Sequence, residues 1–149
     1  MDEIDHKILK LLEYNGRISH EEISRRLNIS RPAIHNRVTK LEQNRIIKGY
    51  YTEINWSQAG QGIRALIFVN VHTKDFNEIM ERIVQIQIPG LTVEKCYRIT
   101  GQWCIMLKIR AGITDQITAL HDEMLKIEGM LDTFTMLILS ESNLKQEEW

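Results

Sequence analysis

Cysteine is scarce: Cys96 and Cys104 are the only two among 149 residues. Two thiols without a CxxC spacing exclude a disulfide framework, and a reducing, cytoplasmic setting is expected. Proline is equally rare, at Pro32 and Pro89, and no low-complexity run occurs. Disorder over most of the length is therefore not expected. Long apolar runs are missing as well. The stretch from 130 to 139 is broken by Asp132, Thr133 and Thr135, far short of the roughly 20 apolar residues of a membrane helix. No membrane partner is expected. The opening MDEIDHKILK is acidic, where a secretory leader is basic. Glycine-rich phosphate loops and paired acid/base carboxylates are also absent. His6, His20, His35, His72 and His121 show no metal-ligand spacing among themselves, so neither a cofactor nor a metal is expected.

What is present is an ordinary globular composition, with 43% hydrophobic and 26% charged residues, and an uneven distribution of charge. The net charge is −1, yet residues 17–50 carry Arg17, Arg25, Arg26, Arg31, Arg37, Lys40, Arg45 and Lys48 against Glu21, Glu22 and Glu42, a local excess of +5. Residues 63–149 sum to −3. A basic segment beside an acidic remainder is the asymmetry of a DNA reader joined to a domain with another partner.

The basic segment has helical periodicity. Ile4, Ile8, Leu11 and Leu12 predict a first helix over residues 2–14, stopped at Asn15-Gly16. Ser19 with Glu22 three residues on forms a capping-box pattern for a second, short helix ending at Asn28. Ser30 opens a third, with Arg31 and Pro32 in its first turn and Ile34, Val38 and Leu41 on one stripe. Two short helices joined by a turn of three or four residues, after a first helix, make a helix-turn-helix.

At about 100° per residue, the flank opposite the apolar stripe carries Pro32, Asn36 and Thr39, with His35 and Lys40 beside it and Ser30 and Arg31 at the tip. The N-terminal residues of such a helix enter the major groove. Arg31, Pro32, His35, Asn36 and Thr39 are the candidates for base edges, since Arg pairs bidentately with guanine and Asn with adenine. Arg25, Arg26, Arg37, Lys40 and Arg45 are the candidates for phosphate, with Arg37 near enough to the buried stripe to pair with an acid instead. The segment IIKGYYTEIN that follows is rich in β-formers and predicts a strand or wing. Residues 55–62, NWSQAGQG, are polar and predict a hinge.

Beyond residue 62 the period changes to two. Ala65, Ile67, Val69 and Val71 alternate with Leu66, Phe68, Asn70 and His72, a strand. Asp75 to Glu78 is a capping pattern for a helix through Ile79, Ile83 and Ile86, ended by Pro89-Gly90. Strands over 91–99 and 103–110 flank a tight Thr100-Gly101-Gln102 turn. Thr114 begins a helix closed by Gly129, and residues 130–139 form a last strand. The order β-α-β-β-α-β is the ferredoxin-like arrangement. The expected class is α+β: a winged helix-turn-helix domain over residues 1–54, a hinge over 55–62, and a ferredoxin-like domain over 63–149 for oligomerisation and effector sensing. Two helices cover only one face of such a sheet. The bare face, with Phe68, Met106 or Phe134 depending on register, predicts a homodimer or a larger even-numbered assembly.

Asp5-x-x-Ile8-Leu9-x-x-Leu12, Gly16-Arg17-x-Ser19, the run from Ser30 through Arg37-Val38 to Leu41-Glu42, and Ile46-Ile47-Lys48-Gly49-Tyr50 together resemble the Lrp/AsnC family, the leucine-responsive or feast/famine regulators. The resemblance covers nearly the whole chain. It implies a sequence-specific transcriptional regulator that binds double-stranded DNA as a dimer or octamer, bends or wraps it, and binds an amino-acid effector between C-terminal domains. In the family a Gly-Asp-Tyr-Asp-like turn marks the effector pocket. Here the matching residues are Gly101, Gln102, Trp103 and Cys104, with Thr133, Phe134 and Thr135 as the corresponding fourth-strand segment. Both acidic positions, suited to an ammonium group, are replaced. The chain reads either as a regulator with an altered effector site or as a ligand-independent DNA organiser. A branch resembling the family acts as tetrapyrrole (siroheme) decarboxylases. That enzymatic alternative would draw on His72 and Arg98, but the intact basic helix favours DNA.

Overall fold

Asp2 and Asp5 start the first helix by capping each other's backbone. The Asp5 amide donates to Asp2 Oδ1 at 2.9 Å and the Asp2 amide to Asp5 Oδ2 at 3.0 Å, so two of the helix's orphan donors are satisfied at once. In a computed structural model, which describes residues 1–142, the chain divides into two separately packed units that meet in sequence between Glu53 and Ile54. The expected domain end at 149 lies outside the described residues. Among the described residues no helix is long and apolar enough to cross a membrane.

The first unit holds α1 (Glu3–Tyr14), α2 (His20–Leu27) and α3 (Arg31–Gln43). Ser19 Oγ accepts from the Glu22 amide at 3.1 Å. The capping box expected there is only half formed, because the Glu22 carboxylate turns to Arg25 and Arg26. Asn28 ends α2 at φ 54°, ψ 46°, a left-handed conformation that Asn tolerates and that turns the chain sharply into α3. Ile8, Leu11, Ile23, Ile34, Val38 and Leu41 are buried together, the stripe expected from the periodicity. Each such side chain contributes about 1.5–3 kcal/mol by leaving water.

No wing follows α3. Among the described residues, 44–62 contain no strand. The segment's β-forming composition finds no partner strand. Instead the Ile46 and Ile47 amides fold back onto the Leu41 carbonyl at 2.9 and 3.1 Å, and the Tyr50 hydroxyl donates to Glu42 Oε1 at 2.8 Å. Burial and this bond push the Tyr50 phenol up to about 12.

The second unit is a four-stranded antiparallel sheet in the order β2-β3-β1-β4, built from β1 (Ile63–Val71), β2 (Leu91–Arg98), β3 (Ile105–Ala111) and β4 (Met130–Leu137). Helices α4 (Phe76–Val84) and α5 (Thr114–Leu125) pack on one face. Ala65, Ile67, Val69 and Val71 alternate toward them with Ile105, Leu107, Ile109 and Ala111, and Ile79, Ile83, Leu120 and Met124 complete the core. This is the ferredoxin-like order. Helix α4 stops at Val84, earlier than Pro89-Gly90, leaving Ile86 in the connection but still against the core. The connection between β2 and β3 runs over 99–104, so Trp103 precedes the strand rather than opening it.

Residues 55–62, expected as a hinge, carry structure of their own within this unit. The Arg110 guanidinium stacks on the Trp56 ring at 3.8 Å. Arg110 Nε donates to Gln61 Oε1 at 2.8 Å, and Gln61 Nε2 donates to the Gly90 carbonyl at 2.9 Å.

Candidate nucleic-acid interface

Burying Ile34, Val38 and Leu41 leaves the other side of α3 in solvent. Ser30, Arg31, Pro32, His35, Asn36 and Lys40 are exposed. Ser30 caps the helix, its Oγ accepting from the Ala33 amide at 3.4 Å. Arg31 and Lys40 meet no carboxylate among the described residues. A cationic tip and an amide-bearing flank thus lie on one face of one rod, an arrangement that presents hydrogen-bond donors and acceptors to a groove.

Two expected contacts are placed differently. Thr39 is half-buried and its hydroxyl donates back to the His35 carbonyl at 2.9 Å, so its donor is already spent within the helix. Arg37 turns away from the exposed flank. Its Nη1 donates to Asp2 Oδ2 and Asp5 Oδ1, each at 2.8 Å. The backbone amide of Asp5 first, then Arg37, holds the Asp2 carboxyl below its ordinary range; the Asp2 amide and Arg37 do the same for Asp5. Arg37 is thereby a strut between α3 and the start of α1.

Arg25 and Arg26 lie on α2 and both reach Glu22, Arg26 at 2.8 Å. Exposed pairs of this kind are worth little, so a phosphate can replace the carboxylate. Asn36 and Lys40 also line a cleft of about 480 Å³ with Asp5, Arg37 and Asn44. Its walls come from α1, α3 and the turn after α3, a combination no local period reveals. A further pairing missed in the sequence joins His20 and His35, whose Nδ1 atoms stand 3.4 Å apart although the residues are 15 positions apart.

The seven residues expected around an effector are not brought together. Gly101 to Cys104 lie in the connection between β2 and β3, and strand alternation along β4 sends Phe134 to one face of the sheet and Thr133 and Thr135 to the other. On the bare face Trp103 stacks on Phe134, with centroids 6.0 Å apart and planes 20° apart, and Phe68 lies 6.4 Å from each. Thr133 and Thr135 point the opposite way, to His121 of α5, with Thr135 Oγ1 2.8 Å from its Nε2. Burial holds the His121 imidazole below its ordinary range, with Asp122 opposing. Cys104 Sγ donates to Asn70 Oδ1 at 3.4 Å, while Gly101, at φ +107°, and Gln102 are exposed in the turn.

Cys96 is a half-buried thiol pushed up to about 11 by desolvation and packs against the core as a small apolar group. His72 and Arg98 do not converge. His72 lines a cavity of about 220 Å³ with Thr73, Glu78, Arg82 and Glu128, whereas Arg98 stacks on Phe76 at 4.0 Å. Among the described residues no group of three or more His, Cys, Asp or Glu side chains is placed to hold a metal ion.

Residues 1–42 match the AsnC-type helix-turn-helix domain, and residues 64–148 match the Lrp/AsnC ligand binding domain. The HTH-type transcriptional regulator LrpC of Bacillus subtilis is 31% identical over 97% of this chain and 96% of its own length. The regulator FL11 of Pyrococcus furiosus is 27% identical over 93% of this chain and 89% of its own. The solved structure of B. subtilis LrpC superposes with a TM-score of 0.83 at 29% identity, covering 97% of this chain and 99% of that one. A transcriptional regulator of Neisseria meningitidis, solved as a complex with L-Met, superposes with a TM-score of 0.85 at 26% identity, covering 97% of this chain and 93% of that one.

Proposed function

The chain belongs to the Lrp/AsnC family of helix-turn-helix transcriptional regulators, and from that premise we propose that it reads duplex DNA with the tip and exposed flank of α3. Arg31, Pro32, His35 and Asn36 meet base edges, and Arg25, Arg26 and Lys40 hold phosphates. The observation that carries this reading is the sidedness of α3: Ile34 and Val38 are 0% and 2% exposed, while Arg31, His35, Asn36 and Lys40 are exposed. Phosphate contacts give affinity and salt dependence; base contacts give preference.

The bare sheet face supports assembly as a homodimer. Phe134, Met136 and Tyr97 are large, apolar and about half exposed there, and a contiguous apolar patch of this kind favours association. A two-fold pair would place two reading helices on major grooves about 34 Å apart.

The C-terminal unit is proposed to take an amino acid as effector. The match to the Lrp/AsnC ligand binding domain and the L-Met complex of the Neisseria regulator support this. The turn Gly101–Cys104 offers no carboxylate for an ammonium group, so the effector's charge would have to be met elsewhere. Selection of bound duplexes from a random pool, followed by footprinting with and without a panel of amino acids, tests both parts. A symmetric site with half-sites one helical turn apart is expected. Equal affinity for selected and random DNA would reject sequence-specific reading, and calorimetric silence toward every amino acid would leave a ligand-independent organiser.

A further inference from the structure

We propose that His20 and His35 form a two-histidine site for a tetrahedral divalent metal ion of the zinc type, a site that shares His35 with the proposed reading flank of α3. His20 is the first residue of α2 and His35 lies in the second turn of α3. The turn through Asn28 brings their Nδ1 atoms to 3.4 Å, with ring centroids 5.3 Å apart and planes tilted by 52°. As a hydrogen bond between neutral imidazoles this separation is long, since such contacts centre at about 2.9–3.0 Å. As the edge of a metal tetrahedron it fits. Metal–nitrogen bonds of about 2.0–2.1 Å at the tetrahedral angle put the two nitrogens about 3.3–3.4 Å apart. A right-angled pair, as in octahedral or square-planar sites, would need about 2.9 Å, so the separation suits a tetrahedral ion such as zinc better than nickel or copper(II).

The rings are placed for exchange rather than for permanent capture. His35 is exposed and His20 half-buried, and no third protein ligand joins them among the described residues. The two remaining positions fall to water or to an added oxygen or nitrogen donor. The amino end of α2 opposes a cation, but Glu21 stands in the same first turn. A metal held here would cross-link α2 to α3 beside the turn that sets their angle. It would fix His35 on the exposed flank and keep its Nδ1 from other partners.

The test is zinc binding to the full chain without DNA, by competition with a chromophoric chelator, for wild type, His20→Gln, His35→Gln and the control His6→Gln. One ion per chain is expected, bound about tenfold or more weakly after either of the first two substitutions and unchanged in His6→Gln. Nitrogen-15 spectra of the wild-type imidazoles provide a readout free of any folding defect in the variants: zinc should move Nδ1 of both rings and leave the proton on Nε2. Cobalt should give a tetrahedral visible spectrum without thiolate charge transfer. A wild type that takes up no zinc, an affinity that either His20→Gln or His35→Gln leaves unchanged, or a thiolate band from Cys96 or Cys104 would overturn the site.

Discussion

Arg37 meets Asp5 at 2.8 Å, and Asp5 is the residue whose carboxylate also caps the start of α1. One carboxylate therefore serves both local helix initiation and the packing of α1 against α3. Arg37→Ala is expected to lower the unfolding midpoint of the first unit while leaving the order of preference among DNA sequences unchanged. Thermal melts and competition binding check the two halves separately. Acid should act on the same contact. The Asp2 and Asp5 carboxyls lie below their ordinary 3.8 when folded, so the stability they confer is full above about pH 3.8 and is lost as pH falls through their lower folded values. Arg37→Ala should flatten that acid limb only in part, because the backbone amide bonds that lower both carboxyls most remain.

The exposed flank of α3 gives a graded expectation. Arg31→Ala and Asn36→Ala should each cost about 1–3 kcal/mol at the base pair contacted and relax preference there. Arg25→Ala should weaken all sequences alike and reduce the slope of log K against log salt by about 0.9. Footprints in a salt series distinguish the two behaviours. Unaltered preference in both α3 variants would move the reading face elsewhere.

Phe134 is 51% exposed yet stacked on Trp103. Phe134→Asp should leave the helix-side core intact and weaken self-association by about 2 kcal/mol or more, the size of an interfacial anchor. Sedimentation equilibrium beside far-ultraviolet circular dichroism would show a folded, dissociated chain. An unchanged association constant would place the contact on another surface.

His121 makes the second unit sensitive to mild acid. Its imidazole lies below the ordinary 6.5 because burial disfavours the charged form. The unfolded chain then binds the proton more readily, so stability falls as pH drops below about 6.5 and levels off once the folded group titrates too. His121→Asn should remove this limb. Chemical denaturation across the range measures it, and an identical slope in the variant would deny His121 the effect.

Much of this was legible before any coordinates. The stripe Ile34, Val38 and Leu41 has a helical period, and Ala65 to Val71 alternates so regularly that the buried face of β1 follows from the letters alone. What was illegible depends on partners distant in sequence. The β-rich composition of 46–55 predicts a strand, but a strand needs a neighbour, and the chain returns to Leu41 and Glu42 instead. Arg37 looks like any surface cation until Asp2 and Asp5 are brought to it. The effector set joins a turn, 101–104, to three successive residues of β4, and successive residues in a strand face opposite ways. His20 and His35 lack any recognisable spacing because the turn between α2 and α3 creates their proximity.

The alternation along β4 has a consequence for how that strand finds its place. Among the described residues it lies at the sheet's edge, paired to β1 alone, where a one-residue slide is the usual error. Such a slide would drive the Phe134 ring into the seat of the His121 imidazole and strand two hydroxyls among aromatic rings. Either mismatch alone penalises the wrong alignment. Because they arise on opposite sides of the same ribbon, no tilt or bend relieves both, and the strand is proofread from above and below without a second neighbour to guide it.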